Sequence, residues 1–262
     1  MTMALSSKSE KIKLLRKLAH KAGFRHMEGL FIVEGRNSIE AALRSGMKLE
    51  AIYTAPNVTT TDLLLIEIAE GQNIPAYEVE IGVLESIQDS ISPQPILGVA
   101  HMGMPSPITT GSSTVILLDN LRDPGNAGTI IRSAHASGVK HVVFSKESVD
   151  PYNPKVVRST AGSIFFVDVH ISEDLTRLIE MLKSQNYKVF TTAGDGDEVY
   201  YRADLTGDCA VVIGNEAHGV TKEVREIADS SLRIPTESDL ESLNASMAAT
   251  LILFEAMRQR SN

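Results

Sequence analysis

Five side chains in the second half of the chain have the types and spacing to build one polar pocket: Asn126, Arg132, Glu216, Ser242 and Asn244. They sit in three stretches: LDNLRDPGNAGTIIR (Leu118 to Arg132), VIGNEAHGV (Val212 to Val220) and IPTESDLESLNASMA (Ile234 to Ala248). Each joins small or flexible residues to one or two polar groups where a strand should end, which is where an α/β domain builds its ligand pockets. In the first, Pro124 sets one turn dihedral, Gly125 frees the next, and Asn126 can cap a helix starting at Ala127. Arg132 follows on a largely apolar helix, among Thr129, Ile130, Ile131, Ser133, Ala134 and Ala136. A charge there calls for a partner, either a surface ion pair or a ligand. In the second stretch an apolar strand gives way to Gly214-Asn215-Glu216, and Gly219 opens a helix. Glu216 either accepts from the amides of that helix or braces a ligand or an arginine. In the third, Ser242 and Asn244 are both N-cap candidates. One cap does not account for Ser242, Asn244 and Ser246 together.

The elements that would carry these residues alternate. Ser6 and Ser7 can cap a helix running to about Ala22, with Ile12, Leu15, Ala19 and Ala22 on one face. Strands over 31–34, 51–53, 76–79 and 96–101 and helices over 37–44, 62–70 and 81–87 make a small α/β sandwich. Residues 103–113, with two Pro, two Gly and a Ser/Thr run, read as a linker between a first domain (1–102) and a second (114–262). The second domain alternates strands at 114–118, 141–144, 165–169, 188–192, 210–213 and 232–234 with helices at 127–136, 154–159, 175–184, 221–227 and 243–258. That order predicts an α/β fold with a mainly parallel sheet covered on both faces.

Bulk properties narrow the class. The 262-residue chain has a net charge of −8, one cysteine (Cys209) and no tryptophan, so its core rests on aliphatic residues and an internal disulfide is excluded. A cleavable apolar leader and a membrane-length apolar run are both missing, which makes a cytoplasmic protein the expectation. The negative charge is unevenly spread. Residues 1–27 hold Lys8, Lys11, Lys13, Arg16, Lys17, Lys21 and Arg25 against the single acid Glu10. Such an arm either neutralises phosphates locally or is the solvated face of a helix. His101, His135 and His218 have no metal-ligand spacing, so no metal is expected. The glycine fingerprint of dinucleotide folds, the Gly-x-Gly loop of the common methyltransferase fold, the phosphate-binding loop and the serine nucleophile elbow are all missing.

In this order and at these spacings, the three stretches resemble the signature motifs of the SpoU (TrmH) family of RNA ribose 2′-O-methyltransferases, of the SPOUT superfamily. The resemblance covers essentially the whole chain. It implies a catalytic domain with a deep trefoil knot that binds S-adenosylmethionine in a bent shape, preceded by an RNA substrate-binding domain resembling a ribosomal protein. A homodimer with the site near the subunit interface is implied as well. By position, Asn126, Arg132, Glu216, Ser242 and Asn244 match the family's catalytic polar residues. The cofactor would lie against Thr192, Ala193, Gly194, Ile213, Gly214, Asn215, Glu216, Ile234, Leu243 and Asn244. RNA would meet Lys11, Lys13, Lys17 and Arg25, then Glu34 and Arg36 in GLFIVEGRNSIEAAL, and Arg158 in KVVRSTAG. Ser238 stands where the third motif usually has glycine, and Thr236 where it is more often apolar. The two-domain layout resembles the family's ribosomal RNA enzymes, so large-subunit ribosomal RNA is the expected substrate. Transfer RNA, a non-catalytic RNA-binding protein of the same fold and a nucleotide-dependent oxidoreductase are the alternatives. In the family the counterpart of Arg132 is assigned as the base. A guanidinium is a poor base, so binding the flanking phosphate and stabilising the developing alkoxide is the second role open to it.

Overall fold

The computed structural model describes residues 4–111, 114–237 and 243–261. They form two compact units, Met1–Met104 with Tyr152–Phe165, and Pro105–Pro151 with Phe166–Asn262.

The first unit opens with α1 (Glu10–His20), which buries Ile12, Leu15 and Leu18 along one stripe. The expected helix to Ala22 is broken: Lys21 is extended, and α2 (Ala22–Glu28) restarts before Gly29 ends it at φ 65°. Then come β1 (Leu30–Glu34), α3 (Arg36–Ser45), β2 (Leu49–Thr54), α4 (Thr60–Gly71), β3 (Ala76–Glu78) and β4 (Ile96–His101). A reciprocal capping box between Thr59 and Asp62 starts α4. The sheet order is β1-β4-β2-β3, with β4 antiparallel to both neighbours. The helix expected at 81–87 is instead a run of turns, entered through Gly82 at φ 80°, which right-handed helical continuation does not allow.

The second unit holds β5 (Thr114–Leu118), α5 (Pro124–Ala136) and β6 (His141–Ser145). The chain then lends α6 (Pro154–Ser159) to the first unit, where it lies against β1. There the Phe31 ring stands 4.9 Å from that of Tyr152 and 6.1 Å from that of Phe165. A Cβ on Gly162 would come within 2.6 Å of the Ala41 methyl, so this packing requires glycine. The strand expected at 165–169 starts later, because Ser163–Phe166 coils into a 3₁₀ turn. β7 (Asp168–Ser172), α7 (Leu175–Ser184), β8 (Lys188–Thr192), β9 (Glu198–Val199), β10 (Cys209–Ile213), α8 (Lys222–Ile227), β11 (Ser230–Arg233) and α9 (Ala245–Arg260) complete the unit. β9, two residues long, is too short to leave a periodic signal and was not expected.

Among the described residues the second sheet has seven strands, in the order β7-β6-β5-β10-β8-β11-β9, and every pairing is parallel. β5, β6 and β10 are buried along their whole length, as a sheet covered on both faces requires. From β5 the chain runs outward to β6 and β7, then returns on the far side to β8. The carboxyl ends of β8, β10 and β11 therefore stand side by side along one edge of the sheet. Most of the segment expected as a linker is bound to this unit. Ser106 donates to Asp168, the Tyr187 hydroxyl to the Thr109 carbonyl (2.7 Å) and the Gly111 amide to the Asp208 carboxylate (2.9 Å). Among the described residues no helix is long and apolar enough to cross a membrane.

Candidate active site

At the carboxyl ends of β8, β10 and β11 lies a cleft of about 760 Å³. Thr192, Ala193, Gly194, Ile213, Gly214, Asn215, Glu216, Ile234, Leu243 and Asn244 all line it, so the residues singled out for a cofactor share one wall. Ala217, Gly219, Leu232, Thr236, Ala245 and Ala248 complete the lining and were not singled out. Their signal was only their nearness in sequence to the others. The turn after β10 is unusually tight. Asn215 and Gly219 exchange amide hydrogen bonds (3.0 and 2.8 Å), and a Cβ on Gly214 would fall 2.1 Å from the Gly219 carbonyl carbon. Gly219, at φ 67°, closes this turn and does not open a helix; α8 begins later, after Thr221.

Asn126, Glu216 and Asn244 meet in one chain of hydrogen bonds. The Asn126 amide group donates to Glu216 Oε1 (2.9 Å), and its carbonyl accepts from Asn244 Nδ2 (2.8 Å). Asn126 is buried, while its two partners are exposed. Asn244 caps α9 as expected, its Oδ1 accepting from the Ser246 amide (2.9 Å) and the Met247 amide (3.3 Å). Asn126 is not the cap of α5. That helix starts at Pro124, and the Asp123 carboxylate accepts from the Asn126 amide (2.7 Å). Asp-Pro, with proline in the first helical position, is the signal that identifies this cap. With Asp123 as cap, the Asn126 side chain is released to join the second and third motifs. Gly125 is helical, and an added Cβ would stand 3.0 Å from the Asp123 carboxylate. Glu216 also accepts from the Asp123 backbone amide (3.4 Å).

Arg132 does not join this chain. It lies on the exposed edge of α5 with Thr129, and among the described residues no hydrogen bond or ion pair engages it. Ser242 and Ser238 lie outside the described residues.

In the first unit, two residues expected at RNA have structural work instead. Arg25 is 2% exposed, and its guanidinium donates to the carbonyls of Leu18 (2.7 Å) and Ala19 (3.3 Å) at the end of α1. Glu34 is buried and paired with Arg158 (2.8 Å). Lys11, Lys13 and Lys17 are exposed on α1. Lys11 stands over the Tyr77 ring (4.3 Å), Lys17 over the Phe24 ring (5.1 Å), and Lys13 pairs with Glu10 (2.6 Å). Arg36, part-exposed, is 3.8 Å from Asp62.

Comparison with known proteins agrees with this arrangement. The SpoU rRNA Methylase family matches residues 113–254, and the MRM3-like substrate binding domain matches residues 9–98. The 23S rRNA (guanosine(2553)-2′-O)-methyltransferase RlmP of Bacillus subtilis is 31% identical over 95% of this chain and 96% of its own. The mitochondrial rRNA methyltransferase 3 of Mus musculus is 30% identical over 90% of this chain and 69% of its own. The SpoU methyltransferase AviRb of Streptomyces viridochromogenes, crystallised with AdoMet, superposes with a TM-score of 0.86 at 25% identity, covering 97% of this chain and 99% of that one. With both halves matched and the three motifs joined by hydrogen bonds, the chain belongs to the SpoU rRNA methylase family.

Proposed function

We propose that this protein transfers a methyl group from S-adenosylmethionine to a ribose 2′-hydroxyl of large-subunit ribosomal RNA. The observation that carries this reading is the Asn126–Glu216–Asn244 chain standing beside a cleft lined by the ends of three parallel strands. The cleft suits the cofactor: its roughly 760 Å³ is within the range of small-molecule pockets. Ala193, Gly194, Gly214, Ala217 and Gly219 put no bulky side chain into the cleft, and Ile213, Leu232, Ile234 and Leu243 supply apolar contacts.

Bound in this cleft, S-adenosylmethionine would supply an electrophilic methyl group and leave as S-adenosylhomocysteine, and the proton of the ribose hydroxyl would pass to solvent. The chain's own residues orient and stabilise. Asn126 and Asn244 hold the start of α5 against the start of α9, and Glu216 ties both to the loop after β10. Arg132, charged and open to solvent, binds the phosphate beside the target sugar and stabilises the negative charge growing on its oxygen. RNA is distinguished from DNA by the reacting hydroxyl itself. Lys11, Lys13, Lys17, Arg36 and Arg158 supply phosphate contacts from residues 1–102 and the segment around α6.

A homodimer belongs to the same reading. α9 exposes Met247, Leu251, Phe254 and Met257 at helical spacing (57, 40, 39 and 38% accessible), an apolar stripe that a second copy would cover. The trefoil knot is supported by the likeness to SpoU structures. A ribosomal RNA substrate makes a cytoplasmic location the natural one. Two measurements test the reading. Calorimetry should detect S-adenosylmethionine binding, and ribose-methylation mapping should find one large-subunit position unmodified in a strain lacking the gene and restored by it. An unchanged methylation map would reject the substrate, and no cofactor binding would reject the activity.

A further inference from the structure

We propose that Ser145 and Ser148, outside all three motifs, are positioning residues for the methyl transfer. The inference rests on the methyltransferase reading above. Asn120, in the loop after β5, has φ 56°, a left-handed backbone that asparagine adopts more readily than most residues. The two serines hold the amides of this turn. The Asn120 amide donates to Ser145 Oγ (3.0 Å) and the Leu121 amide to Ser148 Oγ (3.0 Å). Ser148 in turn donates to the Leu118 carbonyl (3.1 Å), which leaves Ser145 to donate to Ser148 (3.1 Å). Every hydroxyl proton therefore has one acceptor, and the network admits one arrangement.

The loop so held is the one that leads to Asp123 and Asn126. It is also stapled to the second motif. The Asn120 carbonyl accepts from Asn215 Nδ2 (2.9 Å), while Asn215 Oδ1 accepts from the Ala217 amide (2.9 Å). Connected hydrogen bonds thus run from the serine pair through Asn120 and Asn215 to the turn that carries Glu216, and Glu216 reaches Asn126. Neither serine lines the cleft. Their loss should leave cofactor binding intact and shift the α5 side of the site, where a displacement of an ångström costs up to about a hundredfold in rate.

The test is Ser148→Ala in the full-length protein, followed by calorimetry with S-adenosylmethionine and single-turnover methylation of large-subunit ribosomal RNA. We expect cofactor affinity within about twofold of the unaltered protein and transfer slowed by about ten- to a hundredfold. Ser148→Thr, which keeps the hydroxyl, should recover most of the rate. In an Asn126→Ala background S148A should add less than about threefold, because both changes act through one contact. Unchanged transfer by S148A, or a full additional loss in that background, would overturn the role. If S148A yields no folded protein, Ser145→Ala carries the same expectations. The unaltered protein is the control for the parent reading: if it transfers no methyl, both fall, whereas transfer by it and by S148A alike overturns the serine role alone.

Discussion

At the scale of single residues, Arg132 carries the sharpest consequence. It is exposed, unengaged among the described residues and outside the cleft lining, and under the proposed mechanism its charge meets the RNA phosphate. Arg132→Lys keeps the charge and loses the planar fork that grips a phosphate through two bonds. Methyl transfer should fall by about a hundredfold while S-adenosylmethionine affinity stays within about twofold, read by single-turnover kinetics beside calorimetry. Full activity in the lysine variant would rule out the two-pronged grip. Asn126, Glu216 and Asn244 were legible from sequence as polar residues at strand ends. What they bond to was not, because it depends on a loop with a left-handed residue at Asn120 and a turn so tight that Gly214 has no room for a side chain. Arg25 and Glu34 were misread for a related reason. Sequence identifies a charge, but burial against the end of α1 or beside Arg158 decides whether it is available to a ligand.

At the scale of elements, strand and helix order was largely legible, because apolar runs and alternating patterns reflect burial directly. The errors lie where a local conformation overrides the pattern: Lys21 splits the first helix, Gly82 undoes the helix at 81–87, and Ser163–Phe166 delays β7. The cap of α5 belongs to this scale. Asp123→Ala removes an acceptor 2.7 Å from the Asn126 amide and should cost about 1 kcal/mol. In a chain of this size that lowers the melting temperature by about 2–4 °C. A second consequence concerns β6 and β7, where His141 Nδ1 lies 3.1 Å from His170 Nε2, near Asp168, Ser106 and Lys140. Burial holds both imidazoles below the usual histidine range, against the pull of the Asp168 carboxylate. The folded protein therefore binds fewer protons than the unfolded chain around these rings. Their contribution to stability is complete above about pH 6.5 and is lost as pH falls from there through the depressed folded values. Melting temperature measured from pH 8 to pH 5 should decline below about 6.5, and His170→Asn should flatten that decline. A variant as pH-sensitive as the parent would assign the decline to other groups.

At the scale of the whole molecule, the division of the chain was partly hidden. Nothing in the residue pattern places 152–165 in the first unit, since its neighbours in the chain are strands of the second sheet. The assignment follows from Phe31 meeting Tyr152 and Phe165, and from Ala41 meeting Gly162. Deleting residues 1–102 would strip those partners away and confound loss of RNA contact with loss of packing. Charge substitution on α1 is the cleaner probe of the basic arm. Lys11, Lys13 and Lys17 are exposed, and the ion pair of Lys13 is with the exposed Glu10, so their charges contribute little to stability. Changing all three to glutamine preserves much of the stems over Tyr77 and Phe24 and removes three positive charges. If each neutralises one phosphate, the slope of log affinity for RNA against log salt should become less negative by about 2, with the melting temperature nearly unchanged. An unchanged slope would identify these lysines as a solvated helix face and move the RNA footprint to the Arg36 and Arg158 side of the first unit. A large drop in melting temperature would instead mean that the stems over Tyr77 and Phe24 hold α1 in place.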